Sequence, residues 1–67
     1  MGTKFKIGLL RKQRRIRQAD LAVHVGVTRE HLSAVENNRE TPSISLLEKI
    51  AAALGVSVAD LLDNHND

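Results

Sequence analysis

Apolar residues in this chain recur at intervals of three and four, which is the spacing of one face of an α-helix. In the stretch from Gln18 to Asn38 they stand at Leu21, Ala22, Val25, Val27, Leu32 and Val35. Gly26 interrupts the pattern, and a glycine just after the last periodic residue can adopt the left-handed conformation that ends a helix. Thr28 can cap a second helix with its hydroxyl. The pattern predicts two short helices joined by a tight turn.

The rest of the chain continues this pattern, so we predict an all-α fold in a single domain over residues 1–67. The expected helices cover residues 5–15, 18–25, 29–37, 43–54 and 58–62. Pro42 should end the polar loop before the fourth helix, while Ser43 and Ser57 are candidate caps and Gly55 is a candidate stop. The inner stripe of the fourth helix is expected to contain Ile44, Leu47, Ile50, Ala51 and Leu54. Residues 64–67 read as a polar tail.

Composition excludes several classes of protein. The chain has no cysteine, so disulfides and thiolate metal sites are ruled out. Its one aromatic residue, Phe5, gives no support for base stacking of the kind that single-stranded RNA-binding domains use. No apolar run is long enough to span a bilayer, and the first residues lack the apolar region of a signal peptide. We therefore expect no membrane association and a cytoplasmic location.

Charge is distributed unevenly along the chain. Residues 1–17 hold seven basic and no acidic side chains, whereas residues 18–67 hold three basic and eight acidic ones. Such a split suggests a polyanion on one side, although a solvated basic helix face would give the same pattern.

Residues that could support catalysis or bind a metal do not form a recognisable constellation. His24, His31 and His65 lack metal-ligand spacing. The carboxylates Glu30 and Glu36 are not expected to share a pocket, and no base is apparent for a serine nucleophile. We expect no metal, no cofactor and no enzymatic activity.

The second helix of the central pair has an outward face of short or polar residues. They are Arg29, Glu30, Ser33, Ala34 and Asn37. A helix-turn-helix places such a helix in the major groove of DNA, while the helix before it crosses the backbone.

The motifs together resemble the Cro and phage-repressor helix-turn-helix family, often called the XRE family. They are Gln18-x-x-Leu21-Ala22-x-x-x-Gly26-Val27-Thr28, Leu32-Ser33-x-x-Glu36-Asn37, and Pro42-Ser43 with Leu47-x-x-Ile50-Ala51-x-x-Leu54-Gly55-Val56-Ser57. The resemblance implies a five-helix, lambda-repressor-like domain. It also implies a sequence-specific regulator of transcription, of repressor type, that binds double-stranded DNA as a homodimer on a two-fold-symmetric operator.

Position by position, the resemblance implies two sets of DNA contacts. Contacts to bases are expected from Thr28, Arg29, Glu30, Ser33 and Ala34. Contacts to phosphates are expected from Arg14, Arg17, Gln18, His31, Asn37, Asn38 and Arg39. The chemistry permits this, because arginine can pair with guanine and glutamate can accept from cytosine.

Arg11 and Glu36 match a pair that bridges the first and third helices in this family, so a largely buried ion pair is expected. Two positions depart from the family pattern. Arg15 stands where glycine is common, which predicts a first turn that is either more tightly helical or strained, and Arg17 stands where serine or threonine is common, so the second helix should lack its usual cap.

The apolar count near the C-terminus suggests an interface between two copies of the chain. Leu46, Val58, Leu61 and Leu62 exceed what a core this small should need, so we expect some of them at a dimer interface. A protein-interaction module, such as an antitoxin that neutralises a toxin, is the alternative function. Phage repressor, restriction-modification controller and antitoxin all stay open as sub-classes.

Overall fold

The computed structural model describes residues 4–63, and these form four α-helices followed by one turn of 3-10 helix. The α-helices are α1 (Ile7–Gln13), α2 (Gln18–Val25), α3 (Arg29–Glu36) and α4 (Ile44–Leu54). The 3-10 helix covers Ala59–Leu61 and takes the place of the predicted fifth helix. The predicted all-α class is confirmed for this part of the chain. None of its helices has the length and apolar character needed to cross a membrane.

Local capping sets the helix boundaries on both sides of the central turn. Gly26 ends α2 in the left-handed region with φ of 80°, and Gly55 ends α4 in the same way with φ of 72°. The Thr28 hydroxyl accepts a hydrogen bond from the His31 N–H, and the Ser43 hydroxyl accepts one from the Leu46 N–H. These caps and stops agree with those predicted from the sequence.

The core lies where α2 and α3 pack with α4. Its buried side chains are Ile7, Leu21, Ala22, Val25, Leu32, Val35, Leu46, Leu47, Ile50, Ala51, Leu54 and Leu61. The prediction that Ile44 lies on the inner stripe of α4 is wrong, because its side chain is 75% exposed. Ile44 is the first residue of α4 and stands at the margin of the buried stripe, where Leu46 contributes instead.

The first helix is shorter than predicted at both ends. Residues 4–6 precede the helix and pair with residues 61–63: Lys6 N–H donates to Leu61 O, and Asp63 N–H donates to Lys4 O, each at 2.9 Å. Phe5 and Leu62 therefore face each other in an isolated antiparallel bridge. At the other end Arg15 has a positive φ of 56°, which stops the helix. The predicted polar tail at 64–67, with His65, lies outside the described residues.

Candidate nucleic-acid interface

Helix α3 is anchored on one side and open on the other. Leu32 and Val35 are fully buried and attach the helix to the core. Arg29 and Glu30 are exposed, and Ser33 and Ala34 are half-buried. Thr28 is also exposed while it caps the helix. The outward polar face that the sequence predicts is therefore uncovered by the rest of the described chain.

The open face of α3 forms a pocket of about 310 Å³ with its surroundings. The pocket is lined by Gln18, Arg29, Glu30, Ser33 and Arg39. It brings together residues that the sequence assigned to base contact and residues that it assigned to phosphate contact. Two guanidinium groups, one carboxylate, one amide and one hydroxyl offer both donors and acceptors there. This combination suits a double-helical polyanion, which carries phosphates on its backbone and hydrogen-bonding base edges in its grooves.

A nearly buried ion pair stands behind this face. Arg11 Nε donates to Glu36 Oε2 at 2.7 Å and Arg11 Nη2 donates to Oε1 at 3.0 Å, so the pair is bidentate. The side chains are 9% and 7% exposed. Arg11 Nη1 also donates to Ile16 O at 2.8 Å. The pairing expected from the family pattern is present, and it connects α1 to the end of α3.

Gln18 has a partner that the sequence did not reveal. Its Nε2 donates to Glu36 Oε1 at 3.0 Å, so the residue expected to contact phosphate is also bonded to the ion pair. Gly8 adjoins the same carboxylate, since a Cβ on Gly8 would lie 3.2 Å from Oε1. Spacing along the sequence could not have shown this contact, because it depends on how α1, α2 and α3 cross.

Arg14 is bonded to the end of another helix. Its Nε donates to Leu54 O at 2.6 Å and its Nη1 donates to Leu10 O at 3.2 Å. Leu54 is the last residue of α4, where carbonyl groups lack partners within the helix and cations are favoured. The structure therefore gives Arg14 a helix-capping role that the phosphate assignment did not foresee.

Two other residues assigned to phosphate contact, Asn37 and His31, have partners within the chain. Asn37 Nδ2 donates to Ser33 O at 2.9 Å. His31 Nδ1 lies 2.8 Å from Glu40 Oε2, and both side chains are substantially exposed. These contacts must break, or be shared with DNA, if the side chains are to contact a phosphate.

Asn38 fastens the loop after α3 to the N-terminal segment. Its Oδ1 accepts from Phe5 N–H at 3.0 Å and its Nδ2 donates to Phe5 O at 3.5 Å. The side-chain amide thus pairs with Phe5 as the backbone of a neighbouring strand would, on the edge opposite Leu62. Asn38 also has φ of 58°, a conformation that asparagine tolerates better than most residues.

The structure corrects the expected dimer residues. Leu61 is fully buried and Leu46 is 7% exposed, so both belong to the core of a single chain. The prediction that the core could not absorb them is wrong, because both side chains are part of the buried core cluster of this chain. Val58 and Leu62 are half-buried.

Two short helices joined at a left-handed glycine, the second capped and with a polar face free, define a helix-turn-helix protein. The family model described as helix-turn-helix matches residues 7–61. The chain belongs to this family, and the resemblance to Cro and phage-repressor proteins is confirmed.

Relatives of this chain include regulators and a phage repressor. It is 41% identical over 63 residues to the HTH-type transcriptional regulator SinR of Bacillus subtilis, across 92% of this chain and 57% of SinR. It is 37% identical over 57 residues to the immunity repressor protein of Bacillus phage phi105, across 85% of this chain and 40% of the repressor. The chain thus spans about half the length of these relatives.

Solved structures share the fold. The SinR structure in complex with DNA matches with a TM-score of 0.72 at 42% identity, covering 79% of this chain and 86% of that one. The P22 c2 repressor in complex with a synthetic operator matches with a TM-score of 0.79 at 34% identity, covering 88% and 89%. The predicted phage-repressor-like fold is confirmed.

Proposed function

We propose that this protein binds double-stranded DNA in a sequence-specific manner and regulates transcription as a repressor. The observation that carries the proposal is the uncovered polar face of α3, with Arg29 and Glu30 exposed beside Gln18 in an open pocket. Major-groove recognition by such a helix uses side chains near its N-terminus, which is where Arg29 and Glu30 stand. The similarity to SinR and to phage repressors supports this function.

The chemistry of the face assigns a role to each exposed residue. Arg29 can donate to O6 and N7 of guanine, and Glu30 can accept from N4 of cytosine. Thr28, Ser33 and Ala34 are small enough to allow close approach to the bases. Gln18, Arg17 and Arg39 are the candidates for phosphate contact that lie nearest the N-terminus of α2 or the pocket.

Binding as a homodimer on a two-fold-symmetric operator is part of the proposal. One helix reads only a few base pairs, whereas two half-sites about 34 Å apart multiply the specificity. Val58 and Leu62 are the members of the expected interface that the core leaves half-exposed. Sedimentation of the protein with and without operator duplex measures this directly, and a single domain bound to each duplex would contradict the dimer.

Selection of bound sequences from a random duplex library tests the function. The unchanged protein is expected to enrich a symmetric motif. The Arg29→Ala variant should lose preference at one symmetric pair of positions, at a cost of about 1 to 3 kcal/mol per half-site. Lys49→Ala is the matched control, since it removes an exposed cation from α4 and should keep the motif. Failure of the unchanged protein to enrich any motif would refute specific recognition.

A substitution at Arg17 tests the phosphate contacts separately from the base contacts. Arg17→Ala should weaken binding to all duplexes alike and lower the salt slope by about one, because one fewer counterion is released. Unchanged affinity and slope would exclude the contact.

The alternative is a protein-interaction module such as an antitoxin, with DNA binding secondary. The comparisons do not favour it, because the relatives are named as regulators and repressors. Absence of binding to random duplex even at low salt would be needed to reopen it.

A further inference from the structure

The carboxylate of Glu36 has two partners on opposite sides, and one of them lies at the candidate interface. Arg11 holds the carboxylate from α1 through two hydrogen bonds of 2.7 and 3.0 Å. Gln18 donates to Oε1 from the first turn of α2 at 3.0 Å, and it also lines the open pocket with Arg29. One nearly buried group therefore joins the interior of the domain to a residue on its DNA-facing side.

The chemistry of this contact fixes the orientation of the Gln18 amide. A carboxylate only accepts hydrogen bonds, so the amide nitrogen, not the oxygen, must point towards Glu36. A glutamine without such a partner can turn its amide by half a turn and present either atom to a ligand. With one N–H bonded to Glu36, the amide retains its oxygen and its second N–H for a ligand, and Gln18 lines the pocket.

The carboxylate itself has little freedom to move. Arg11 is anchored by a further bond from Nη1 to Ile16 O, two residues before α2 begins. On α1, Gly8 lies so close that a Cβ there would be 3.2 Å from Glu36 Oε1. The hydrogen bonds are therefore continuous from α1 through Glu36 to Gln18.

We propose that Glu36 is a positioning residue for DNA binding, holding the Gln18 amide in the orientation that contacts the duplex. The inference rests on the proposed function and adds to it a role for a residue that does not itself reach DNA. A side chain held in its bound orientation loses less conformational freedom on binding, so the contact gains affinity.

A double-mutant cycle tests the role. Gln18→Ala, Glu36→Gln and the double variant are compared by their Kd for an operator duplex, at a temperature where circular dichroism shows each to be folded. Each single change is expected to weaken binding roughly 3- to 10-fold, and the double variant should bind no worse than Gln18→Ala. Glu48→Gln is the matched control, because it removes one negative charge from an exposed position. Equal losses from Glu36→Gln with and without Gln18 would overturn the proposal.

A second measurement keeps the test independent of whether Glu36→Gln folds. The chain has two glutamines, Gln13 and Gln18, and Gln13 is exposed. In the unchanged protein, NMR should show one Gln18 side-chain amide proton exchanging with solvent more slowly than those of Gln13. Equal exchange at both glutamines would refute the fixed orientation.

The two proposals fail in different ways. If the unchanged protein binds no duplex at any salt concentration, both are refuted. If it binds but the cycle shows no coupling, the function stands and the positioning role alone is refuted.

Discussion

Within residues 4–63, two residues other than glycine have a positive φ, Arg15 at 56° and Asn38 at 58°. For most L-residues this conformation costs about 1 to 2 kcal/mol. Asn38 compensates through its pairing with Phe5. Arg15 lies in the turn between α1 and α2. Arginine tolerates a positive φ less well than asparagine, so the cost at Arg15 is not offset in the same way. Of the two alternatives predicted for the first turn, tighter helix or strain, the positive φ at Arg15 agrees with strain.

Replacing Arg15 with glycine should stabilise the fold. Relief of the positive φ is partly offset by the entropy of glycine in the unfolded chain, so we expect a gain of roughly 0.5 to 1 kcal/mol. Urea unfolding measures the gain. Arg15→Ala loses the same charge but keeps a Cβ, so it should show no gain, and equal stability of the two variants would contradict the strain.

Asn38 has two structural roles that substitutions can separate: it adopts a positive φ, and its side chain pairs with Phe5. Asn38→Gly keeps the backbone conformation and loses the pairing with Phe5, which should cost about 0.5 to 1.5 kcal/mol. Asn38→Ala loses both and should be less stable than Asn38→Gly by about 1 kcal/mol. Thermal unfolding distinguishes the variants. If the Asn38→Gly protein is as stable as the parent, the pairing of the Asn38 side chain with Phe5 does not stabilise the fold.

At the scale of elements, the 3-10 helix carries its own capping box. Asp60 N–H donates to Ser57 Oγ at 3.2 Å, and Ser57 N–H donates to Asp60 Oδ2 at 3.1 Å. The bond from the Ser57 N–H lowers the pKa of Asp60 below its ordinary value of 3.8, with smaller contributions from the Ser57 hydroxyl and from Lys6. The short element is thus stabilised by a charged carboxylate.

Because folding lowers the pKa of Asp60, its contribution is present above pH 3.8 and is lost as the pH falls through the folded value. Asp60→Asn should therefore be less stable than the parent at neutral pH, and the difference should shrink in acid. Urea titrations between neutral and acid pH measure it. Ser57→Ala keeps the N–H that contributes most, so it should retain most of the pH dependence. A difference that grows in acid would contradict this account.

The elements that local chemistry controls were predictable, and those that distant contacts control were not. Gly26, Thr28 and Ser43 act within one turn, so the sequence predicts the boundaries near them. The start of α1 depends on Phe5, whose backbone bonds to the Asn38 side chain and which faces Leu62 in the antiparallel bridge, and both residues are far along the chain. A helical pattern cannot show such partners, and the prediction of a helix from residue 5 was wrong for that reason.

The same division applies to the candidate site. The spacing of the apolar residues was enough to predict that Arg29 and Glu30 face outward. It could not reveal that Gln18 reaches Glu36, or that Arg14 reaches the end of α4, because these contacts depend on helix crossings. Counting apolar residues also failed for Leu46 and Leu61, because the core of a single chain buries both.

At the scale of the whole molecule, Arg11 is the one buried polar residue among those the structure describes, and its ion pair with Glu36 connects α1 to α3. Arg11→Met should cost about 3 to 5 kcal/mol, because it leaves a buried carboxylate without its cation. That is a large share of the roughly 3 to 10 kcal/mol expected for a domain of this size. Urea unfolding measures the loss.

Two companions to Arg11→Met check the explanation. Lys12→Met removes an exposed cation from the same helix and should have little effect. Arg11→Met combined with Glu36→Leu should recover at least half of the loss, since no unpaired charge is left in the interior. A double variant less stable than Arg11→Met alone would show that the cost has another origin.

The bridge between Phe5 and Leu62 also bears on how the chain could be re-engineered. Lys4 O and Asp63 N are 2.9 Å apart, so the two ends of the described segment lie side by side. A ring closed there by a short peptide would keep every helix in place. New termini could then be opened at a surface loop. The resulting circular permutant would keep the open face of α3 unchanged, although its helices would follow one another in a different order.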